Sequence, residues 1–241
     1  YVFKISDLTS INIRDNQELK SIPKIFRNMS SLRDFNSKNC PKISEYPKLN
    51  KNTLSILRID CEGLKNQTPP EWIGKCKKLS ILDISNVKNI PETFFDELKN
   101  IKDFEIDGSN FETLPKTIGK LKNLEHFKIM NSRIKTLPET FFDNTKVKHL
   151  EVQKNIQFTE LPDNIWKLKN LETIVIRETG IVTLPETIGK MNSLRTLDLF
   201  YNQSLEKLPK SLPNIFLESL DIRITSIKKE DVPTSLHKIM K

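Results

Sequence analysis

Three side chains that could coordinate a transition metal recur at a constant spacing in the middle of the chain. Asp103, His126 and His149 are separated by intervals of 23 residues. If the backbone repeats with the same period, these side chains lie in one column. One carboxylate and two imidazoles could bind zinc, but a normal site needs three or four convergent ligands. Two exposed histidines without a metal are therefore the favoured interpretation, and zinc is the alternative.

A group of carboxylates in the same part of the chain could attract positive charge. If the period holds, these side chains share one surface, where they could bind a basic segment of a partner or a calcium ion. The alternative is a charged surface that only keeps the protein soluble. The members of this acidic patch are Asp60, Asp83, Asp103, Glu105 and Asp107.

The three cysteines, Cys40, Cys61 and Cys76, do not form a reactive or structural set. Their number is odd and no CxxC pair occurs, which argues against a disulfide framework and a structural zinc site. Cys61 is predicted at an exposed strand position, yet no neighbouring residue would activate its thiol. Glycine-rich phosphate loops and the HExxH and GxSxG motifs do not occur either. The sequence thus predicts no catalytic residue, no cofactor and no enzyme.

Composition and charge define the broad class of the protein. Of the 241 residues, 37% are hydrophobic and 29% are charged, as expected for a folded domain. The 39 Lys and Arg residues exceed the 31 Asp and Glu residues, which gives a net charge of +8. No apolar run is long enough to cross a bilayer. The first residue is not Met, so we expect one domain of a longer protein, or a short protein with degenerate caps.

An internal repeat specifies the elements that position these residues. In residues 184–202, LPETIGKMNSLRTLDLFYN, the apolar residues follow neither the helical nor the strand period. Residues 114–132, LPKTIGKLKNLEHFKIMNS, have nearly the same pattern. A template LxxLxLxx, usually followed by Asn, Ser, Thr or Cys, begins ten times at intervals of 22 to 25 residues. The starts are Leu8, Leu32, Leu54, Leu79, Ile101, Leu124, Val147, Leu171, Leu194 and Leu217.

This pattern resembles the leucine-rich repeat family in its 23-residue bacterial and plant-like form, LPxxIGxLxxLxxLxLxxN, over nearly the whole chain. The resemblance implies an α/β fold, a right-handed solenoid or horseshoe, in which each repeat adds one strand to a parallel concave sheet. Short helical, 3-10 or extended segments would form the convex side. Because one repeat cannot bury its own apolar residues, the repeats must stack. Residues 1–241 are therefore predicted to form a single domain of about ten repeats.

The ninth residue of each template is predicted to be a buried turn residue that hydrogen-bonds backbone groups, as Asn155 and Asn202 can. Glu62 and Val87 occupy this place in the third and fourth repeats. Both residues depart from the polar, small or amide types found elsewhere. We therefore expect irregular backbone in these two repeats.

The third, fifth, seventh and eighth residues of each template are predicted to be exposed on the concave face. They include seven basic and eleven acidic residues, a net charge of −4 on a chain with a total charge of +8. The surplus lysines are therefore expected on the convex side and in loops, as a solvated surface. A nucleic-acid-binding protein would instead gather cations and aromatic side chains on its contact face. The sequence argues against a nucleic-acid partner.

The last three repeats place aromatic, aliphatic and arginine side chains on adjacent strands of the concave face. This composition is typical of interaction hot spots, and an exposed apolar patch would otherwise reduce solubility. A partner protein is the favoured occupant, and coverage by a C-terminal cap or another domain is the alternative. The predicted binding patch consists of Val175, Arg177, Asp198, Phe200, Tyr201, Asp221, Arg223 and Ile224.

These features and the family resemblance predict a non-enzymatic module that binds a partner protein on its concave face. The resemblance favours a bacterial protein that is secreted, displayed on the cell surface or delivered as an effector into host cytoplasm. The alternative is the substrate-recruiting domain of a larger enzyme, such as an effector E3 ubiquitin ligase, whose catalytic region would lie outside this chain. We expect a protein partner, no nucleic acid and no membrane span.

Overall fold

The computed structural model describes residues 5–241, and its central element is a sheet of ten parallel strands arranged in chain order. Each strand begins two residues after one of the ten repeat starts, at the third residue of the template. The strands are β1 Ser10–Asn12, β2 Asp34–Asn36, β3 Ile56–Asp60, β4 Ile81–Ser85, β5 Asp103–Asp107, β6 His126–Met130, β7 His149–Gln153, β8 Thr173–Arg177, β9 Thr196–Asp198 and β10 Ser219–Asp221.

The register between strands follows from the repeat length. Phe104 of β5 pairs with Phe127 of β6, so equivalent residues of successive repeats lie side by side. Side chains alternate within each strand, as in β6, where Phe127 and Ile129 are buried and His126 is exposed. Each inward residue therefore packs against its counterpart one repeat away, and the inward side chains join one continuous apolar core.

The segments that return between strands contain short 3-10 helices. All six five-residue helices of the described chain follow a proline whose φ lies between −55° and −73°, a value suited to a first helical turn. None of the helices within residues 5–241 is long and apolar enough to span a membrane. The predicted solenoid with a parallel sheet and 3-10 turns is confirmed. The helices are Ile5–Asp7, Lys24–Asn28, Lys65–Gln67, Glu71–Lys75, Lys116–Lys120, Glu139–Asp143, Asp163–Lys167, Glu186–Lys190, Leu212–Asn214, Lys229–Asp231 and Thr234–Leu236.

Phenylalanines fill the core between the sheet and the returning segments in the central repeats. The ring of Phe104 lies 5.4 Å from Phe95 and 5.9 Å from Phe127, measured between centroids. Phe127 in turn lies 5.0 Å from Phe141 of the next returning segment. Aromatic pairs at these separations add about 0.5–1.5 kcal/mol each beyond the area they bury. The central repeats are therefore joined across both layers.

The ninth residue of the template links neighbouring repeats through buried hydrogen bonds. The amide nitrogen of Asn202 donates to the carbonyls of Ile176 (2.7 Å) and Leu199 (2.8 Å). Its oxygen accepts from the backbone N–H (3.0 Å) and the hydroxyl (2.7 Å) of Thr179, the ninth residue one repeat earlier. Asn155 donates to backbone carbonyls in the same way. The ninth residue thus satisfies backbone groups that the turn leaves without a strand partner.

The third repeat is irregular, as expected, but by a shift of one residue. Cys61, rather than Glu62, is fully buried at the turn, and its carbonyl accepts the N–H of Leu64 at 3.1 Å. Glu62 is exposed instead. The chain then continues through Asn66 and Gln67, both with positive φ. The repeat therefore contains one residue fewer between its strand and its buried turn.

The fourth repeat is irregular as well, but in its returning segment rather than at its turn, since residues 91–100 contain no 3-10 helix. Val87 is fully buried in the ninth place, and Asn86 before it has a left-handed conformation with φ of 56°, as in the regular repeats. The hydroxyl of Ser85 donates to the carbonyl of Ile59 at 3.3 Å. This bond replaces one that the valine side chain cannot make.

The second repeat lacks the 3-10 helix that its neighbours place on the convex side. One residue separates Pro47 from the apolar Leu49, whereas two residues separate Pro115 from Ile118 in a regular repeat. Residues 43–50 form neither helix nor strand. The row of five-residue helices is therefore interrupted between Lys24–Asn28 and Glu71–Lys75, because the shortened segment has too few residues for the turn.

Replacing Asn202 with alanine is expected to lower the free energy of unfolding by about 2–4 kcal/mol, because buried backbone groups of both adjoining repeats lose their partners. Chemical denaturation followed by circular dichroism measures the change. Asn192→Ala is the matched control, since Asn192 is exposed, and its effect should stay within about 0.5 kcal/mol. Equal unfolding midpoints for the two variants would contradict the role assigned to Asn202.

Candidate protein-binding face

The eighth residue of the template has a positive φ in nine of the ten repeats, the irregular third repeat being the exception. A left-handed conformation here turns the chain out of the sheet toward the buried ninth residue. Nine of the ten strand ends on the concave face are therefore followed by one conformationally demanding position. The nine residues are Asp15, Asn39, Asn86, Gly108, Asn131, Lys154, Glu178, Tyr201 and Ile224.

The residue types at this position change along the chain. The first five regular repeats use Asp, Asn or Gly, which adopt a left-handed backbone most easily. The last four use Lys154, Glu178, Tyr201 and Ile224, for which this conformation costs about 1–2 kcal/mol. A β-branched residue such as Ile224 is a genuine outlier there. The C-terminal repeats are therefore destabilised at the positions where they present Lys154, Glu178, Tyr201 and Ile224.

The aromatic and aliphatic members of the predicted patch lie together. Tyr201 and Ile224 are exposed to 44% and 49%. The Phe200 ring lies 6.0 Å from that of Tyr201, and the Arg223 guanidinium lies over Phe200 at 5.3 Å. Val175 is half-buried on the neighbouring strand β8. Adjacent repeats therefore present an apolar surface with a cation stacked on it.

The two aspartates of the predicted patch lie beneath this surface, with side-chain exposures of only 12% for Asp198 and 5% for Asp221. Asp221 accepts hydrogen bonds from Arg223 at 2.9 and 2.6 Å, and Asp198 accepts one from Arg177. Asp198 also accepts the N–H of Phe200 at 3.1 Å. Hydrogen bonds from Arg223 lower the pKa of Asp221. The carboxylates therefore hold two arginines in place, and the outer surface presents guanidinium groups.

A groove of about 440 Å³ extends the patch beyond the residues predicted from sequence. Gly180 lines it, and a Cβ atom at Gly180 would lie 2.2 Å from the carbonyl oxygen of Ile156, so only glycine fits. Tyr201 and Ile156 also line this groove, and Ile156 is 79% exposed. Sequence reasoning missed Ile156 because the tenth template residue was assigned no role. The available signal was an isoleucine directly after Asn155, where the other repeats have no large apolar residue.

The C-terminal residues of the described chain cover the edge of the sheet but not the patch. Met240 forms a bridge with Leu220 of β10, and the N–H of Leu220 donates to the carbonyl of Ile239 at 3.0 Å. Tyr201 and Ile224 remain exposed beside this cap. Within residues 5–241, the chain therefore leaves the apolar patch open.

The acidic patch is brought together, and two of its five carboxylates are ion-paired. Lys38 lies 2.7 Å from Glu105, and Arg58 lies 2.9 Å from Asp83. Burial, and then the charge of Glu105, raise the pKa of Asp83. These two pairs reduce the negative charge that the patch offers to a basic segment or a calcium ion. The other members, Asp60, Asp103 and Asp107, accept hydrogen bonds from Asn86 (2.8 Å), His126 (2.5 Å) and Asn131 (2.7 Å), respectively.

The three candidate zinc ligands lie in one column but pair separately. His126 Nδ1 is 2.5 Å from Asp103 Oδ1, whereas His149 Nε2 is 3.1 Å from Glu151 Oε2. Burial acts to raise the pKa of Glu151, but hydrogen bonds from His149 and Lys128 lower it. In the part of the chain that the structure describes, no group of three or more His, Cys, Asp or Glu side chains is placed to hold a metal ion. Zinc binding stays a prediction, which a calorimetric titration without heat would contradict.

All three cysteines are free and buried. Burial raises the pKa of the Cys76 thiol to about 12, and burial with the nearby Asp60 charge also raises that of Cys61. The expectation that Cys61 is exposed and able to react is therefore wrong. The one-residue shift of the third repeat moves it from the concave face into the core.

Comparisons with known proteins place this geometry in a family. One family model, a leucine-rich repeat region, matches residues 71–175, and a leucine-rich repeat model matches residues 193–215. No curated protein sequence matches the chain. Three solved structures share its fold at TM-scores of 0.73, 0.61 and 0.56: Toll of Drosophila in complex with Spatzle, InlJ of Listeria monocytogenes, and the leucine-rich repeat domain of the type III effector XopL.

The identities to these three structures are 22%, 19% and 18%, so the likeness establishes the fold alone. The matches cover 92%, 89% and 68% of this chain. They span 30% of the Toll chain, 46% of the InlJ chain and 71% of the XopL domain. Proteins of this fold commonly serve as protein-interaction modules and are generally not catalytic. Two family models, a ten-stranded parallel sheet and these neighbours together show that the chain is a leucine-rich repeat protein.

Proposed function

We propose that residues 1–241 act as one leucine-rich repeat domain that binds a partner protein on the concave face of its last repeats. The observation that carries this proposal is the placement of Tyr201 and Ile224, exposed and apolar, at left-handed positions. Earlier repeats fill the same position with Asn or Gly at lower cost. Strained residues of this kind persist where function requires the side chain.

The arginines beside the apolar patch define the chemistry of the partner. Arg177 and Arg223 each use part of their guanidinium group on a buried aspartate, while their side chains stay 40% and 58% exposed. A carboxylate of the partner would satisfy these outward donors in a bidentate contact. Tyr201 and the groove at Ile156 would receive an apolar side chain. The favoured partner surface is therefore an apolar residue next to an acidic one.

A bacterial secreted, surface or effector protein is the biological setting we favour. XopL is a type III effector and InlJ comes from Listeria monocytogenes, and both share the fold. The lysine-rich, alanine-free composition supports the same setting. Because the XopL structure is the repeat domain of an effector, a substrate-recruiting domain of a larger enzyme, such as an E3 ubiquitin ligase, is the second candidate.

Partner capture is expected to depend on the last repeats. A photoreactive amino acid at Tyr201 should cross-link the partner, whereas the same residue at Ile25 should not. Ile25 is the matched control because it is 49% exposed but lies in the helix Lys24–Asn28 of the convex side. With the captured partner purified, Phe200→Ala/Tyr201→Ala should weaken binding by at least about 2 kcal/mol. Unchanged affinity in this double variant would refute the proposed face.

Stability and binding should change in opposite directions at Ile224. Ile224→Asn relieves the left-handed strain and should raise the free energy of unfolding by about 1 kcal/mol, while it weakens partner binding. Denaturant unfolding and calorimetric titration with the purified partner measure the two effects. Asn131→Ile introduces the same strain in the sixth repeat, and it should lower stability without changing affinity. A variant Ile224→Asn that loses stability, or keeps full affinity, would count against the functional explanation of the strain.

A further inference from the structure

We infer that the gap at the second repeat in the row of convex helices is a binding site for a small ligand that carries two or more phosphate groups. The gap forms a groove of about 490 Å³, within the range of roughly 300–1,000 Å³ typical of small-molecule sites. One wall contains Arg27 of the helix Lys24–Asn28, and the other contains residues of the helix Glu71–Lys75. Residues 48–52 of the second repeat, which lacks a helix, line the groove between these helices.

The groove has a net positive charge. Four cations line it, Arg27, Lys48, Lys51 and Lys75, together with the single carboxylate of Glu71. Within residues 5–241, none of these four cations lies in an ion pair. Unpaired cations on three separate segments around one concavity are suited to an anion with several charged groups.

Lys75 makes no ion pair within the described residues. Lys120 occupies the same place in the helix Lys116–Lys120, and it lies 2.8 Å from Asp96 in the returning segment of the preceding repeat. The second repeat lines the groove beside Lys75 with lysine and asparagine side chains in residues 48–52, and none of these residues is acidic. The shortened segment therefore opens the space and adds Lys48 and Lys51 to its lining.

Side-chain amides and an indole ring also line the groove. Asn50 and Asn52 contribute amide donors, and Trp72 contributes part of its side chain. Side-chain amides donate two hydrogen bonds each, and phosphate oxygens accept them. The site therefore combines charge with directional donors, which separates it from ordinary solvated lysines.

The arrangement favours a compact polyphosphate over a nucleic acid. These four cations surround one groove, whereas a nucleic acid needs a basic track interleaved with stacking side chains. A soluble polyphosphate and a phosphorylated lipid headgroup share the chemistry that the groove recognises. This inference does not depend on the proposed partner face, which lies on the opposite side of the repeats.

Calorimetric titration with inorganic tripolyphosphate at about 0.15 M salt tests the site, because nonspecific surface attraction is largely screened there. We expect saturable binding at one site. In a Trp166→Phe protein, which retains only Trp72, the same titration should change the tryptophan fluorescence.

A vesicle-binding experiment tests the lipid headgroup as the source of the phosphates. It compares vesicles of phosphatidylcholine with phosphatidylinositol bisphosphate against phosphatidylserine vesicles of equal surface charge. Binding to neither tripolyphosphate nor the phosphoinositide vesicles would overturn the inference.

Two charge-matched variants locate the binding. Lys48→Ala/Lys51→Ala/Lys75→Ala should weaken tripolyphosphate binding by at least about tenfold, because charged hydrogen bonds are lost. The control is a triple alanine variant at the exposed residues Lys116, Lys167 and Lys207, and it should change affinity by less than about twofold. Equal losses in both variants would show nonspecific attraction and overturn the site.

Discussion

The structure depends on one constraint: a single repeat cannot satisfy its own apolar and polar groups, so each repeat is completed by the next. The inward residues of β5 and β6 pack side by side in register, and the ninth residue binds backbone groups of two repeats at once. Because buried backbone groups at these turns find partners across the repeat boundary as well as within the repeat, stacking is obligatory. The side chains on the exposed face of the sheet are not needed for stacking, and this face is therefore available for binding.

Both candidate sites lie in repeats that depart from the regular repeat pattern. At Tyr201 and Ile224 the chain uses residues that are unfavourable for the left-handed backbone, and both are exposed. In the second repeat it omits a helix and leaves a cationic groove. A regular repeat minimises strain and exposed apolar surface, so local violations that persist are informative about function.

Charge is organised differently on the two sides of the solenoid. On the concave face, acidic and basic residues of different strands form ion pairs, as Lys128 does with Glu151 and Lys38 with Glu105. The arginines of the binding patch are held by aspartates buried beneath them. Pairing therefore reduces the anionic character of this face, although acidic residues stay in excess. On the convex side, the four cations of the groove at the second repeat form no ion pair among the described residues.

The repeat template is sufficient to predict the strand positions, the parallel register and the buried role of Asn155 and Asn202, because the apolar period leaves one way to bury every repeat. Which side chains at the exposed template positions reach solvent depends instead on packing between repeats. Cys61 is buried by a one-residue shift, and Asp221 lies beneath Arg223. The groove at Ile156 exists because Gly180 lets two backbones approach closely. These features depend on contacts between residues 21 to 26 positions apart, whose geometry a template of nine positions does not contain.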